Sequence, residues 1–363
     1  MNPMKRMAAA WSALVVLFVG AGCSSSGGDE EDTPQPSPSA SGPSTRPDDG
    51  NAGEFRGMTL PSWNTHDYDS PQAGTYLRQI AATGARWVTF TPTWYQDRVT
   101  DSDMRTTKET ASDDSLRSII RLAHDAGLKT MIKPHVDLVK GGDRAEIKPK
   151  DRDAWFAAYE RFITHYAQLA ADNGVEQLSV GTELAGTSQD GEHWSKVIAA
   201  IRDRYKGKLT YAANYDEYQK IPFWQDLDVI GIDAYWPLAD QATTDPARLR
   251  QAWQPIAAEL AAFSERQHRK ILFTEAGYVS QRGTTTAPYS WSISKSDGDG
   301  KTEQAAAYEA LLASFDGKPW WAGVCWWMWD DWPDSGETAK NLAYTPHGKP
   351  AEDVLRKWWA RDS

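Results

Sequence analysis

The sequence predicts an α/β protein built as one closed parallel barrel, a (β/α)8 barrel of the TIM type, and three observations carry that prediction. From Glu54 onward, short β-rich runs alternate with amphipathic helical stretches, the order that builds a parallel sheet with crossover helices. The β-rich runs number eight, the count that closes such a barrel. No glycine-rich dinucleotide fingerprint follows any of them, so the rival doubly wound open sheet lacks its usual support. With 363 residues the chain has room for one such domain, 54–363, behind a separate amino-terminal region.

In chain order the expected strands are "FRGMTL", "ARWVTFTP", "KTMIKPH", "EQLSVGTE", "KLTYAAN", "LDVIGIDAY", "KILFTEAGY" and "WAGVCWWMW". Between them, "DSLRSIIRLAHDAG", "DAWFAAYERFITHYAQLAADNG", "EHWSKVIAAIRDRYKG" and "PARLRQAWQPIAAELAAFSERQ" space their apolar residues three and four apart, as helices packed on a sheet do. The helix expected after the fifth strand, around "IPFWQD", is short.

The first 53 residues read differently. Lys5 and Arg6 precede the apolar stretch "MAAAWSALVVLFV" and then "GAGC". That is a charged start, an apolar segment short for a membrane span and a small-residue cleavage site, which predicts a lipoprotein-type signal peptide over 1–22. Cleavage before Cys23 would leave diacylglycerol on its sulfur, making the lipid the only membrane contact of an extracytoplasmic protein at a bacterial cell surface. Gly20 stands where such signals most often carry leucine, so plain secretion or an uncleaved anchor stays open. Residues 24–53 hold no aromatic and no aliphatic larger than alanine. They read, with Cys23, as a disordered tether spanning roughly 30 Å.

Composition excludes some functions. A net charge of -11 and the lack of a basic stripe with interleaved aromatics argue against a nucleic-acid partner. Two cysteines, Cys23 and Cys325, give no disulfide framework, and Cys325 reads as a small buried apolar residue. No histidine pair has metal-ligand spacing, so neither a metal nor another cofactor is implied. Eighteen tryptophans offer flat faces for sugar rings as well as core material.

In a parallel barrel the site forms at the carboxyl ends of the strands. Glu183 closes the fourth run and Glu275 the seventh, each a lone carboxylate ending an apolar stretch. Strict alternation along a strand places Gly181 and Phe273 below them on the barrel interior. A single strand-end glutamate is more often a structural ion-pair partner, but two facing one mouth suit glycoside hydrolysis. One carboxyl is protonated to assist the leaving oxygen and the other is ionised to attack the anomeric carbon. A lipoprotein that binds carbohydrate without cleaving it, and a transglycosylase using the same site, are the alternatives.

The series "LSVGTELAGT", "DVIGIDAYWPL", "ILFTEAGY", "WWAGVCWWMWDDWP" and "TPHGKPAEDVL" resembles glycoside hydrolase family 113, within the clan of retaining barrel glycosidases that carry their catalytic carboxylates on strands four and seven. The resemblance implies Glu183 as acid/base, Glu275 as nucleophile, retention of configuration, and β-1,4-linked mannan or manno-oligosaccharide as substrate. Much of the clan has asparagine directly before the acid/base, touching the sugar 2-hydroxyl; here, as is similar in family 113, that residue is Thr182.

Other residues are expected around the pair. Tyr235, ending the sixth run, can donate a hydrogen bond to the nucleophile, a role the resemblance supports, and Asp233 reads as an interior carboxylate in a network. Trp327 and Trp329 share a strand face, and one of them is expected to form a sugar platform while Trp326 packs on the helices. His135, Trp94 with Tyr95 and Gln96, and Asn214 end other strands, where each can meet a substrate hydroxyl or serve structure. The aperiodic stretch after Glu275 is long for a loop and carries Tyr289 and Trp291 as further candidates.

Overall fold

The computed structural model describes residues 54–294, 298–333 and 342–360. The expected signal peptide, Cys23 and the tether lie outside them. Along the chain run β1 (Phe55–Leu60), α1 (Ala73–Ala82), β2 (Trp87–Phe90), β3 (Thr93–Gln96), β4 (Met104–Arg105), α2 (Asp113–Asp125), β5 (Lys129–Ile132), β6 (His135–Leu138) and α3 (Arg152–Asp172). They are followed by β7 (Gln177–Thr182), α4 (Gly191–Arg204), β8 (Lys208–Asn214), β9 (Ile230–Asp233), α5 (Pro246–Gln267), β10 (Ile271–Ala276), α6 (Gly300–Phe315), β11 (Trp321–Trp326) and α7 (Pro350–Trp359).

Eight of the strands close a barrel in the order β1-β11-β10-β9-β8-β7-β5-β2, and each lies within one of the eight expected runs. The closing pair β1–β11 is parallel, with Phe55 opposite Gly323 and Met58 opposite Trp326. Side chains from five of these strands, Phe55, Trp87, Met131, Leu272 and Cys325, and Val229 just before β9 form a cluster to which no helix contributes, which fixes it as the packed lower interior. The larger core lies between strands and helices.

Local chemistry sets the helix ends. Ser112, Asp151, Asp190 and Asp245 each accept a backbone N–H of the first turn of α2, α3, α4 and α5, occupying donors that would otherwise be orphaned. After α3, Gly174 takes the left-handed conformation, φ 67°, that a side chain disfavours. Two 3-10 turns, at Tyr218–Lys220 and Trp224–Asp226, stand after β8 where a short helix is expected.

One departure shapes the mouth. The runs "ARWVTFTP" and "KTMIKPH" do not continue as single strands: β2 stops at Phe90 and β5 at Ile132. Pro92 and Pro134, with no N–H to give the ladder, interrupt them. The chain resumes in a separate three-stranded sheet, β4-β3-β6, in which β3 pairs with β6 and Thr93 and Tyr95 lie opposite His135 and Asp137.

Candidate active site

Irregular backbone delivers both glutamates. Between β7 and β8 the register shifts from Ser179 to Thr182, and Glu183 follows at φ 54°. A non-glycine residue in that left-handed region costs about 1–3 kcal/mol unless its surroundings hold it. They do so here: Glu183 N–H donates to the Ala212 carbonyl at 2.8 Å, and Leu184 N–H donates to the Tyr211 hydroxyl at 2.8 Å. That hydroxyl donates to Glu217 Oε1 at 3.0 Å, while Glu217 Oε2 accepts Asn214 N–H at 3.0 Å.

In β10 a second shift falls between Phe273 and Glu275 in the pairing with β9. The expectation that Gly181 and Phe273 underlie the carboxylates inside the barrel is therefore corrected. Phe273 packs outward, its ring centroid 4.9 Å from Phe315 of α6 and 6.2 Å from Trp253 of α5. A methyl group on Gly181 would sit 2.8 Å from Trp194 of α4 and 3.0 Å from the Tyr159 hydroxyl of α3. Strict alternation would send Glu275 the way of Phe273; the bulge turns it to the interior instead.

There the fully buried ammonium of Lys133, just past β5, makes an ion pair with Glu275 Oε1 and lies 3.5 Å from Asp233 Oδ2. Tyr235 Oη donates to Glu275 Oε2 at 2.6 Å, and Thr274 Oγ1 donates to Asp233 Oδ1 at 2.8 Å. Burial pulls the Lys133 ammonium down, but the charges of Asp233, Glu275 and Glu183 outweigh it and leave it above the ordinary lysine value. Burial likewise raises Asp233, which Lys133 offsets in part.

Glu183 has a weaker partner. Arg144 donates from Nε and Nη2 to Asp137 Oδ1, at 3.0 and 2.5 Å, and its Nη1 stands 3.5 Å from Glu183 Oε2. Burial, then the charge of Asp233, holds the Glu183 carboxyl well above the usual carboxylate range; Arg144 opposes this without cancelling it. The two carboxylates therefore differ in kind: one is buried and gripped by a lysine and a phenol, the other is half-buried beside a guanidinium committed elsewhere.

An aromatic cluster adjoins them, made of Tyr235, Val279, Trp327, Met328 and Tyr344, with Trp63, Tyr215, Tyr289 and Trp291 at its margin. Lys133 Nζ lies 5.8 Å from the Trp327 ring centre, and His135 stacks on the same indole at 6.2 Å. His135 is buried, and its Nε2 has no hydrogen-bond partner among the described residues. Burial pushes its imidazole well below the ordinary range, so the ring is neutral. Among the described residues no three His, Cys, Asp or Glu side chains gather as metal ligands would.

A sequence model of this site's host family, described as Glycoside Hydrolase Family 113, matches residues 61–349. The chain belongs to glycoside hydrolase family 113. It is accordingly a glycoside hydrolase. Among solved structures, a family 113 β-mannanase of Alicyclobacillus acidocaldarius, AaManA in complex with ManMIm, is 28% identical over 86% of this chain and 98% of that one, with a TM-score of 0.77. A family 113 β-1,4-mannanase complex is 26% identical over 85% and 99%, with a TM-score of 0.76. A family 5 subfamily 18 protein of Bifidobacterium longum, 15% identical over 84% and 79% with a TM-score of 0.58, shares the fold. No curated protein sequence matches.

In this family 113 hydrolase the structure brings Glu183, Glu275, Tyr235, Trp327 and His135 to one mouth. Thr182 is buried in the wall beside it, with its hydroxyl 3.4 Å from the Pro134 carbonyl, and Asn214 ends β8 opposite Asp233. Trp329 does not join Trp327: β11 ends at Trp326, so alternation lapses, and Trp329 stacks on His347 at 4.6 Å. Trp94 also lies elsewhere, because β3 turns its indole onto α3, where Nε1 donates to Tyr166 at 3.0 Å and the ring meets Phe162 at 5.3 Å. Gln96 is occupied by Trp155 and the Arg98 carbonyl. Trp326 packs on Tyr308 of α6, 3.7 Å between centroids, as its face predicts.

Lys133 and Arg144 are site residues that the sequence reading missed. Lys133 carried the signal that singled out the glutamates, a lone charge at the end of an apolar run. Arg144 sits in an aperiodic turn and had none.

Proposed function

We propose that this family 113 hydrolase is a retaining β-mannanase that works by double displacement, with Glu275 as nucleophile and Glu183 as acid/base. The observation that supports this most is the unequal pairing of the two carboxylates. Lys133 forms an ion pair with Glu275 and Tyr235 donates a hydrogen bond to it, which holds its carboxylate in place to attack the anomeric carbon. Glu183, raised by burial and by neighbouring carboxylates, keeps its proton for the leaving glycosidic oxygen. Once the glycosyl–Glu275 ester has formed, Glu183 takes a proton from the incoming water. Trp327 and His135, stacked beside the pair, offer the sugar an apolar face and an unpartnered ring nitrogen.

The substrate class rests on the solved relatives described as β-mannanases. Sugar release from mannan, glucan, xylan and their oligosaccharides, run beside Glu275→Gln, tests both parts. We expect release from β-1,4-mannan, lost in the variant, with the product first appearing as the β-anomer by NMR. An α-anomer would end the double-displacement reading, and full activity of Glu275→Gln would end the nucleophile assignment.

We also propose that the enzyme acts outside the cytoplasm, tethered through a lipid on Cys23. Labelled fatty acid incorporated into the wild type and not into Cys23→Ser is the expected result; equal labelling of both would refute it.

A further inference from the structure

We propose that Arg144 and Asp137 form a positioning pair that lets Glu183 alternate between acid and base within one catalytic cycle. The inference rests on the acid/base assignment of Glu183 made above. A double displacement asks opposite things of one carboxyl: a proton in the first step, a full negative charge in the second. Burial among carboxylates serves the first and obstructs the second.

The charged and titratable groups facing Glu183 come from five parts of the fold. They are Arg144 and Asp143 from the turn after β6, Lys133 past β5, Asp233 of β9, Glu275 of β10 and Tyr344 from the segment before α7. Two are cations, and Lys133 is committed to Glu275 and Asp233. Arg144 is thus the cation left to serve an ionised Glu183.

Its geometry suits an intermittent partner. Nε and Nη2 converge on one oxygen, Asp137 Oδ1, which leaves Nη1 facing Glu183 at 3.5 Å. Asp137 holds the guanidinium back, so Glu183 retains its proton at rest. When that proton has gone to the leaving sugar, Nη1 stands ready for the bare carboxylate, and a charge-assisted contact needs only a small approach. The backbone keeps the two in step: Asp143 Oδ1 accepts Ala145 N–H at 2.8 Å, fixing the turn of Arg144, and the Ala145 carbonyl accepts Gly186 N–H at 2.9 Å, three residues beyond Glu183. A methyl group on Gly186 would lie 2.2 Å from the Ile147 carbonyl oxygen, so the segments meet closely. β6 supplies the other half, with Asp137 two residues beyond His135 on the same strand face.

In the second step the water oxygen bonds to the anomeric carbon as the bond from that carbon to Glu275 breaks. The electron pair stays on the Glu275 carboxylate and a water proton moves to Glu183. Azide forms the same kind of bond through nitrogen with no proton to give up, and so does not need the base.

The test uses the full chain with Arg144→Met, Arg144→Lys, Asp137→Asn and Glu183→Ala, assayed on 2,4-dinitrophenyl β-mannobioside and on mannohexaose. The dinitrophenolate departs without an acid, so its turnover reports the second step; the hexaose needs the acid. Since one pKa unit is a tenfold change in protonation ratio, Arg144→Met is expected to lower kcat on the aryl glycoside by about tenfold or more, with KM falling alongside. Azide restores that turnover, Arg144→Lys recovers most of it, and the alkaline limb of kcat/KM on the hexaose moves to higher pH. Asp137→Asn frees the guanidinium for Glu183 and gives the reverse: hexaose cleavage falls by about tenfold, aryl turnover is largely kept, and the limb moves to lower pH. A merely structural pair would depress both substrates together in both variants, and that result overturns the inference. So does the absence of azide rescue in Arg144→Met when Glu183→Ala is rescued. Failure of azide to rescue Glu183→Ala would instead overturn the acid/base assignment, and the inference with it. Should Arg144→Met not fold, the direction of the Asp137→Asn shift decides.

Discussion

Lys133 is fully buried and has two carboxylates to answer to. Replacing it by methionine leaves Asp233 and Glu275 buried without a cation, a change expected to cost about 3–5 kcal/mol of stability, read from denaturant unfolding. Turnover should collapse with it, because Glu275 would lose the ion pair that holds its carboxylate. Tyr235→Phe is gentler: it removes one hydrogen bond to a charged oxygen, and should lower kcat/KM with a stability loss of about 1.5–3 kcal/mol, smaller than that of the lysine variant. A loss confined to stability would contradict a role beside the proposed nucleophile. At this scale the glutamates and Tyr235 were legible because lone polar residues ended apolar runs. Arg144 was not, since nothing in an aperiodic turn announces which way a side chain points.

Period-two alternation fails where it matters most, at the bulges of β7 and β10 that aim the two carboxylates. A bulge leaves no compositional trace, which is why Phe273 and Gly181 were legible as strand residues and not in their facing. The prolines that end β2 and β5 were visible, yet the small sheet they start depends on pairing between distant segments. Gly181→Ala should expose the strain: the added methyl drives into Trp194 and Tyr211, lowers the thermal midpoint and costs activity by moving Glu183. Beyond β10, Lys349 Nζ donates to Ser280 Oγ at 2.9 Å and to the Ala343 carbonyl at 3.1 Å, joining the segment after Glu275 to the one before α7. Burial pulls its ammonium down from 10.5 to about 7. Below that pH both folded and unfolded chains carry the proton, and the cost of burying the charge is felt in full. Between about 7 and 10.5 only the unfolded chain keeps it, so stability rises with pH across that window. The thermal midpoint of wild type relative to Lys349→Met should therefore climb from pH 7 to pH 9; a flat difference would mean the lysine is not held as described.

For the molecule as a whole, the eight strands and their order were legible because a parallel barrel buries both faces of every strand and must separate them with amphipathic helices. What the pattern omits is how the interior is layered. Apolar side chains fill the bottom, the hydroxyls of Thr59 and Thr89 come next, and Lys133, Asp233 and Glu275 sit above. Cys325 joins the first two layers, with Sγ 3.2 Å from Thr59 Oγ1 and 3.1 Å from Thr89 Oγ1, and burial pushes its thiol up to about 11. With Cys23 acylated or changed to serine it is the only thiol in the chain. A water-borne alkylating reagent can reach it only when the barrel opens, so the labelling rate is a clock for whole-barrel opening. A glycan held at the mouth of the Glu275→Gln variant, which the proposed mechanism makes inert, slows that clock in proportion to its occupancy. The order in which different glycans delay alkylation would rank their affinities without a single bond being cleaved.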